Sequence, residues 1–261
     1  MLKKRLISSI VIVGLIFLAI WNEISSGILI TLFIILGLNE FFDMLGKKGV
    51  YKYFGIFVRT LIPLSIVWRF EPTKAWELFF IICVIFSLFL IQFLRRKMQG
   101  AIMDISTTIF GILYVSWFFS FLIRIRYLSD GLGLLTSVLV ITKLNDIGAY
   151  FIGTKFGKTP LIPHISPKKT WEGSIGGVIF SILGAIICRP FLKQNILNTV
   201  LLGLFLGVLG QLGDLSESLM KRDCQLKDSG NIIPGMGGIL DIIDSLIFVA
   251  PVFYFYVSLT R

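Results

Sequence analysis

Histidine and cysteine, which supply many catalytic and metal-binding groups, are almost absent from this sequence. His164 is the single histidine among 261 residues, and the three cysteines, Cys83, Cys188 and Cys224, lie far apart. No C-x-x-C spacing occurs, so the sequence predicts neither a disulfide framework nor a zinc site. A single histidine also excludes mechanisms that depend on a histidine cluster. Any chemistry must therefore come from carboxylates, lysines and a bound metal ion.

Charged residues are scarce as well. They make up 15% of the chain, whereas 56% of it is hydrophobic and the mean hydropathy is +0.88. Many apolar runs reach the roughly 17 to 25 residues that a helix needs to cross the hydrocarbon core of a bilayer. The sequence therefore predicts an all-α, polytopic integral membrane protein with about nine transmembrane helices. The predicted spans are residues 6–22, 24–45, 53–70, 75–94, 102–123, 131–153, 173–188, 196–220 and 239–259.

Lysine and arginine concentrate in alternate connections between these spans, sixteen on one side and seven on the other. Because basic residues favour cytoplasmic loops, we predict that the N-terminus and loops 153–172 and 221–238 are cytoplasmic. The net charge of +10 is then explained by topology, and no nucleic-acid partner is predicted. The sixteen are Lys3, Lys4, Arg5, Lys47, Lys48, Lys52, Arg95, Arg96, Lys97, Lys155, Lys158, Lys168, Lys169, Lys221, Arg222 and Lys227; the seven are Arg69, Lys74, Arg124, Arg126, Arg189, Lys193 and Arg261.

The distribution of polar residues divides the chain into two regions. Residues 1–125 carry few polar groups inside their spans and are predicted to be a transmembrane scaffold, whereas residues 126–261 are predicted to be the catalytic region with the two long cytoplasmic loops. In the scaffold, Asn39, Glu40 and Asp43 end the second span. The sequence leaves open whether these three are solvated or functional.

Carboxylates occur inside the C-terminal spans. Asp146 lies in the sixth span, Asp214 in the eighth, and Asp241 and Asp244 begin the ninth. With a helix rise of about 1.5 Å per residue and the predicted topology, all four face the cytoplasmic half of the membrane. A carboxylate at membrane depth is costly unless it is paired, hydrated or bound to a cation, so these residues are candidates for function. The alternative is that they form ion pairs that only pack helices together.

The spacing of these acids suits a metal ion. Asp241 and Asp244 are three residues apart, and Asp214 and Ser218 are four apart, so each pair shares one face of a helix. Oxygen ligands without histidine or cysteine suit a hard cation such as Mg²⁺, which also binds substrate phosphates. Asp214 and Asp241 are therefore candidate metal ligands.

Both long loops carry groups that can bind phosphate. Lysines and hydroxyls of the first loop can neutralise oxyanions, although the same lysines also satisfy the positive-inside bias. In the second loop, glycines precede a helix N-terminus, which favours anions. Neither a P-loop nor a G-x-G-x-x-G motif is present, which argues against a P-loop kinase. The groups concerned are Lys155, Lys158, Ser166, Lys168, Lys169 and Thr170, then Gly235, Gly237 and Gly238.

Longer motifs are more specific. The stretch "SLMKRDCQLKDSGNIIPGMGGILDIIDS", residues 218–245, resembles the signature of the phosphatidate cytidylyltransferases, the CDP-diacylglycerol synthases, and "DIGAYFIGTKFGK" and "ISPKKTWEG" are similar to earlier motifs of that family. The resemblance implies a dimeric, polytopic inner-membrane enzyme that transfers a cytidylyl group from CTP to phosphatidic acid with Mg²⁺ and, in some members, K⁺. The products would be CDP-diacylglycerol and pyrophosphate. Dimer contacts would then fall in the N-terminal scaffold.

The resemblance also implies roles for individual residues. Asp214 and Asp241 would hold a pair of cations, with Asp244 in support. We add Asp146 to the substrate-binding candidates because it is an acid inside a span. Lys227 and Asp228, which match a K-D element, are further catalytic candidates. The other substrate-binding candidates are Lys221 and Arg222, which match a K-R element, and Ser166, Lys168 and Lys169, which match an S-P-K-K element that faces phosphates.

Two positions depart from the family pattern. Met236 stands where the family usually has histidine, and Ile242 where it usually has arginine. Both changes remove a polar group beside the predicted metal ligands, so a different polar group would have to replace them or activity would be low. The alternatives are a CTP-dependent lipid kinase, a cytidylyltransferase for another lipid phosphate, an inactive scaffold, and an ion or solute transporter.

Overall fold

The computed structural model describes residues 2–46, 76–95, 98–233, 235 and 237–260. Nearly all of this part of the chain is helical. The helices are α1 (Leu2–Ile20), α2 (Glu23–Leu45), α3 (Trp76–Arg95), α4 (Ala101–Gly111), α5 (Phe118–Tyr127), α6 (Gly131–Phe156), α7 (Trp171–Ile187), α8 (Arg189–Leu192), α9 (Ile196–Asp223) and α10 (Leu240–Thr260). A π-helical segment, Ile112–Trp117, joins α4 to α5.

Five of these segments are long and apolar enough to cross a membrane: α2, the continuous α4–α5 segment Ala101–Tyr127, α6, α9 and α10. Shorter apolar helices cover Ile10–Ile20, Phe79–Arg95 and Trp171–Ile187. The prediction of an all-α membrane protein is therefore confirmed, and eight of the nine predicted spans coincide with a helix to within a few residues. The third predicted span, 53–70, lies outside the described residues, so the total of about nine stays a prediction.

Polar side chains fix where several helices begin. The side chain of Asn22 accepts the N–H of Ile24 at 2.9 Å at the start of α2, and Asn195 accepts the N–H of Asn198 at 2.8 Å at the start of α9. Such residues satisfy N–H groups that have no partner inside the helix. They therefore place the helix boundaries that the hydrophobic pattern alone leaves uncertain by a few residues.

Glycines let the helices of the C-terminal region approach closely. A Cβ atom at Gly176 of α7 would lie 2.5 Å from Cβ of Ile152 on α6, and one at Gly213 of α9 would lie 2.6 Å from the carbonyl oxygen of Asp244 on α10. Small residues are the usual means of close packing between membrane helices. Because Gly213 precedes Asp214, this contact brings the acidic ends of α9 and α10 together.

The loop between α6 and α7 contains a β-hairpin, which the sequence did not predict. Strands β1 (Pro160–Ile162) and β2 (Ser166–Thr170) pair antiparallel, with Ile162 opposite Ser166. The strands are short and lack the alternation of apolar and polar residues that marks a strand. The hairpin is the only β-sheet in the described part of the chain, and it places Lys168 and Lys169 on a defined strand.

Glu172, in the first turn of α7 and before the apolar span 173–188, anchors this hairpin. Its own backbone N–H and the N–H groups of Lys158 and Thr159, which donate at 3.1 and 3.2 Å, lower the pKa of the Glu172 carboxyl to about 2. The stabilisation is therefore complete above the ordinary pKa of 4.5 and is lost as pH falls towards about 2.

We predict that hydrogen-exchange protection of the Lys158 and Thr159 amides, corrected for intrinsic rates, falls between about pH 4.5 and 2. In a Glu172→Gln variant, protection should already be weaker at pH 7 and should not change over this interval, because the amide does not titrate. Equal pH dependence in both proteins would contradict the assignment.

Candidate active site

A cavity of about 730 Å³ lies between α6, α7, α9, α10 and the hairpin. Carboxylates from three helices and the basic strand β2 meet in it. This arrangement brings together distant parts of the sequence that were predicted to face one side of the membrane. The predicted site residues that line the cavity are Asp146, Ser166, Lys168, Lys169, Asp214, Asp241 and Asp244.

Each of three cavity acids is paired with a lysine. Lys169 Nζ lies 2.7 Å from Asp214 Oδ2, and Lys143 Nζ lies 3.0 Å from Asp146 Oδ2. Asp241 Oδ1 accepts a hydrogen bond from Lys221 at 2.6 Å. Two of these pairs join different elements, and the Lys143–Asp146 pair joins successive turns of α6. The lysines therefore position the acids as well as neutralise them. Lys143 was not among the residues predicted from the sequence.

Negative charge exceeds positive charge among these paired groups. Lys221 also pairs with Glu217, whose side chain is fully buried, while Asp244 is only 7% exposed and has no salt-bridge partner among the described residues. With Lys168, which lines the cavity, four ammonium groups thus face five carboxylates in and beside it. An excess of negative charge in a buried place favours a bound cation.

Asp241 holds the segment that precedes α10. Its Oδ2 atom accepts the N–H of Ser229 at 3.0 Å, the hydroxyl of Ser229 at 2.8 Å and the N–H of Gly238 at 2.8 Å. Gly237 has a φ of +99°, and a Cβ atom there would lie 2.6 Å from Asp241 Oδ2. Glycine is therefore required at this position both for its backbone conformation and for space.

Glu40, near the end of α2, binds the same segment from the N-terminal region. It is 4% exposed, and its carboxylate accepts the N–H of Ile239 at 3.0 Å and the N–H of Leu240 at 2.8 Å. The hydroxyl of Ser229 donates to it at 3.3 Å. A carboxylate at a helix N-terminus satisfies free N–H groups and complements the helix dipole. The predicted scaffold region therefore reaches the site through Glu40.

An amide network fixes the relative positions of α6, α7 and α9 beside the cavity. Gln211 Nε2 donates to Asn145 Oδ1 at 3.1 Å and to the carbonyl of Ser174 at 2.8 Å, and Asn145 Nδ2 donates to the carbonyl of Gly207 at 3.1 Å. The Ser174 hydroxyl donates to Gln211 Oε1. Asn145 and Gln211 therefore stabilise the helix packing that supports Asp146 and Asp214.

The other predicted site residues do not line the cavity. Arg222 Nε donates to the carbonyl of Ile165 at 3.1 Å and so ties the end of α9 to the turn of the hairpin. Lys227 and Asp228 are exposed in the segment after α9. Met236 lies outside the described residues. Ile242 is half-buried, and its carbonyl accepts a hydrogen bond from Lys143 at 3.2 Å.

The donor set suits Mg²⁺ held jointly with a substrate. Within the described ranges, no group of three or more histidine, cysteine, aspartate or glutamate side chains could hold a metal ion by itself. Mg²⁺, however, commonly binds through one or two carboxylates together with water and substrate phosphates. The carboxylates that line the cavity and their excess of negative charge meet that requirement.

The fold and the cavity define a helical membrane protein with a polar site suited to phosphate chemistry. A family model described as "Cytidylyltransferase family" matches residues 3–260. The chain belongs to this family, and it is therefore a nucleotidyltransferase.

Relatives named phosphatidate cytidylyltransferase match nearly all or about half of the chain. The protein of Synechocystis sp. is 35% identical, over 98% of this chain and 96% of its own length. The Thermotoga maritima protein is 33% identical, over 97% of this chain and 95% of its own length. The Bacillus subtilis protein is 45% identical over 56% of each chain. The resemblance found in the sequence motifs is thus confirmed.

Proposed function

We propose that this protein transfers a cytidylyl group from CTP to phosphatidic acid and releases pyrophosphate, which gives CDP-diacylglycerol for phospholipid synthesis. The observation that carries the proposal is the single cavity in which acids from α6, α9 and α10 face Lys168 and Lys169 of the hairpin. Membership of the cytidylyltransferase family and the names of the full-length relatives support the same reaction.

The reaction is a displacement at phosphorus. An oxygen of the lipid phosphate forms a bond to the α-phosphorus of CTP, the bond from that phosphorus to the α–β bridging oxygen breaks, and the electron pair leaves with pyrophosphate. The attacking phosphate is already ionised, so no protein nucleophile is needed. Lys168 and Lys169 stabilise the charge that develops on the leaving group, and Ser166 lines the same face of the cavity.

We assign the cofactor Mg²⁺, with K⁺ as a second cation, to Asp214 and Asp241, with Asp244 in support. When bound, the cations would neutralise phosphate oxygens and orient the nucleotide. The protein's own contribution is to hold these carboxylates in place: Asp241 through Ser229, Gly238 and Lys221, and Asp214 through its pairing with Lys169. Asp146, Lys221, Arg222, Lys227 and Asp228 complete the proposed substrate-binding and catalytic set.

We further propose a multi-pass homodimer of the inner membrane with about nine spans, in which residues 1–125 form the scaffold and provide dimer contacts. The N-terminus, the hairpin and the segment before α10 would face the cytoplasm, because the basic residues concentrate on that side. This orientation gives CTP access to the cavity from water and phosphatidic acid access from the bilayer.

The position of the label in CTP tests the reaction directly. With phosphatidic acid and Mg²⁺, label in the α-phosphate of CTP should enter the lipid and label in the γ-phosphate should be released as pyrophosphate, and a chelator should abolish both. A lipid kinase, in a parallel assay supplied with diacylglycerol, would instead place the γ-label on that lipid and release CDP. Absence of label in any lipid would overturn the proposal in favour of an inactive scaffold, or of a transporter if labelled ions then cross proteoliposomes.

A further inference from the structure

A second cavity, of about 290 Å³, lies between α1, α2, α5, α6 and α10. Its walls are apolar apart from Ser26 and one charged residue, Lys143. Its lining includes Val13 of α1, Phe33 of α2 and Val140 of α6. We call it the apolar cavity, and the larger one the polar cavity.

Lys143 lies at the boundary between the two cavities. Its side chain lines the apolar cavity, while its ammonium group is bound to Asp146, which lines the polar cavity. A lysine commonly places its methylene stem along apolar surface while its charged end reaches a polar region. The side chain is 45% exposed, so part of it is not covered by the neighbouring helices.

Ile242 of α10 also lies at the boundary between the apolar and polar cavities. It lines the apolar cavity, and its carbonyl is the second acceptor for Lys143 Nζ, at 3.2 Å. The neighbouring residue, Asp241, lines the polar cavity. The two cavities are therefore adjacent along both α6 and α10, and Lys143 lies at their boundary.

We propose that the apolar cavity holds part of an acyl chain of phosphatidic acid and that Lys143 binds the lipid phosphate. This inference rests on the proposed function and identifies where its lipid substrate lies. A ligand with an anionic head group and an apolar tail matches the apolar cavity, which has one cation at its polar end. CTP has no apolar tail. It would instead occupy the polar cavity, which Ser166, Lys168 and Lys169 of β2 line.

Lys143 is then a binding and specificity residue for the lipid. Its ammonium group has three N–H donors, so it can bind a phosphate oxygen while Asp146 and the carbonyl of Ile242 keep it in position. Charge-assisted hydrogen bonds of this kind are about twice as strong as neutral ones. The residue should therefore affect phosphatidic acid strongly and CTP little.

Three variants of the full-length protein test the role of Lys143. Lys143→Met keeps the apolar stem and removes the charge, Lys143→Arg keeps the charge, and Lys193→Met is the matched control, since Lys193 pairs with Asp130 beside a different cavity. Binding of labelled dioleoyl phosphatidic acid in detergent micelles is measured without CTP, and the KM of each substrate is measured during turnover.

We expect Lys143→Met to weaken lipid binding and raise the KM for phosphatidic acid about 10- to 30-fold, while the KM for CTP changes less than about twofold. Lipid binding and both KM values of Lys143→Arg should stay within about threefold of wild type, and those of Lys193→Met should equal the wild-type values. Unchanged lipid binding in Lys143→Met, or an equal rise in both KM values, would overturn the proposal.

The apolar cavity is tested by filling it. Val140→Trp should weaken binding of dioleoyl phosphatidic acid about tenfold. Binding of dihexanoyl phosphatidic acid should stay within about twofold of wild type, because only the longer chain occupies the cavity. Equal effects on both lipids would refute the cavity assignment. If the wild type binds phosphatidic acid, Lys143→Met weakens that binding and no CDP-diacylglycerol forms, the proposed function fails and this site stands. If CDP-diacylglycerol forms at the normal rate and Lys143→Met binds the lipid normally, the proposed function stands and this site fails.

Discussion

Replacing Asp214 by asparagine should lower kcat/KM for CDP-diacylglycerol formation about 100- to 1,000-fold, with the helical fold retained. Asp214 lies in the polar cavity directly after Gly213, where α9 packs closely against α10. Asparagine keeps the shape and one acceptor oxygen but removes the charge that is needed beside a cation and a triphosphate. Initial rates with labelled CTP measure the effect, and circular dichroism checks the fold.

The control for this substitution is Asp130→Asn. Asp130 also pairs with a lysine, Lys193, but beside a different cavity, and its backbone has a φ of 59°, which asparagine tolerates well. Its activity should equal that of the wild type. A large loss in Asp130→Asn would mean that the assay reports general damage to the helix packing.

The double variant Lys169→Met/Asp214→Asn distinguishes catalysis from packing. If the Lys169–Asp214 contact, at 2.7 Å, only holds the hairpin against α9, removal of both charges should restore much of the activity lost in the single variant. If both groups act on the substrates, the double variant should be at least as inactive as Asp214→Asn. We expect the second result; recovery above about one tenth of wild-type activity would contradict it.

The sequence predicted the helices well because each long apolar run is a local signal. It also predicted that Asp146, Asp214, Asp241 and Asp244 face one site, since their depth along each helix follows from the topology. The β-hairpin was missed because a strand of five residues with two lysines and a proline carries no periodic pattern. Its position is set by contacts such as those of Glu172, which lie outside the strands.

Long-range partners could not be read from the sequence at all. The pairing of Lys143 with the carbonyl of Ile242 joins residues 99 positions apart. Ile242 stands where the family usually has arginine, and the structure places an ammonium group from α6 against that very residue. The sequence indicated that a polar side chain had been lost there, but only the packing of α6 against α10 shows that the Lys143 ammonium group lies beside it.

Glu40 is the clearest example of a site residue that the sequence left open. Its position at the end of an apolar helix was compatible with simple solvation, yet it lies 199 and 200 residues before the two amides that it binds at the start of α10. Glu40, Ser229 and Asp241 form a connected group, because the Ser229 hydroxyl contacts both carboxylates. Glu40 is therefore a positioning residue for Asp241 and Asp244.

Glu40→Gln should lower kcat about 100-fold, because displacement of catalytic groups by about 1 Å can cost that factor. The amide of glutamine would set an N–H group against the N–H donors of Ile239 or Leu240 and would remove the charge that complements the N-terminus of α10. The KM for CTP should change less than about threefold, since Glu40 does not line the polar cavity. Steady-state kinetics with labelled CTP provide both constants.

Two further measurements distinguish a positioning role from general loss of stability. Hydrogen exchange at Ile239 and Leu240 should accelerate in Glu40→Gln, while exchange in the middle of α6 and α9 stays unchanged. Asp43→Asn is the matched control, because Asp43 lies one turn further along the same helix end and is exposed; its kcat and its exchange at α10 should equal those of the wild type. If Glu40→Gln speeds exchange throughout all helices, or loses kcat without any change at Ile239 and Leu240, then Glu40 does not act by holding the start of α10.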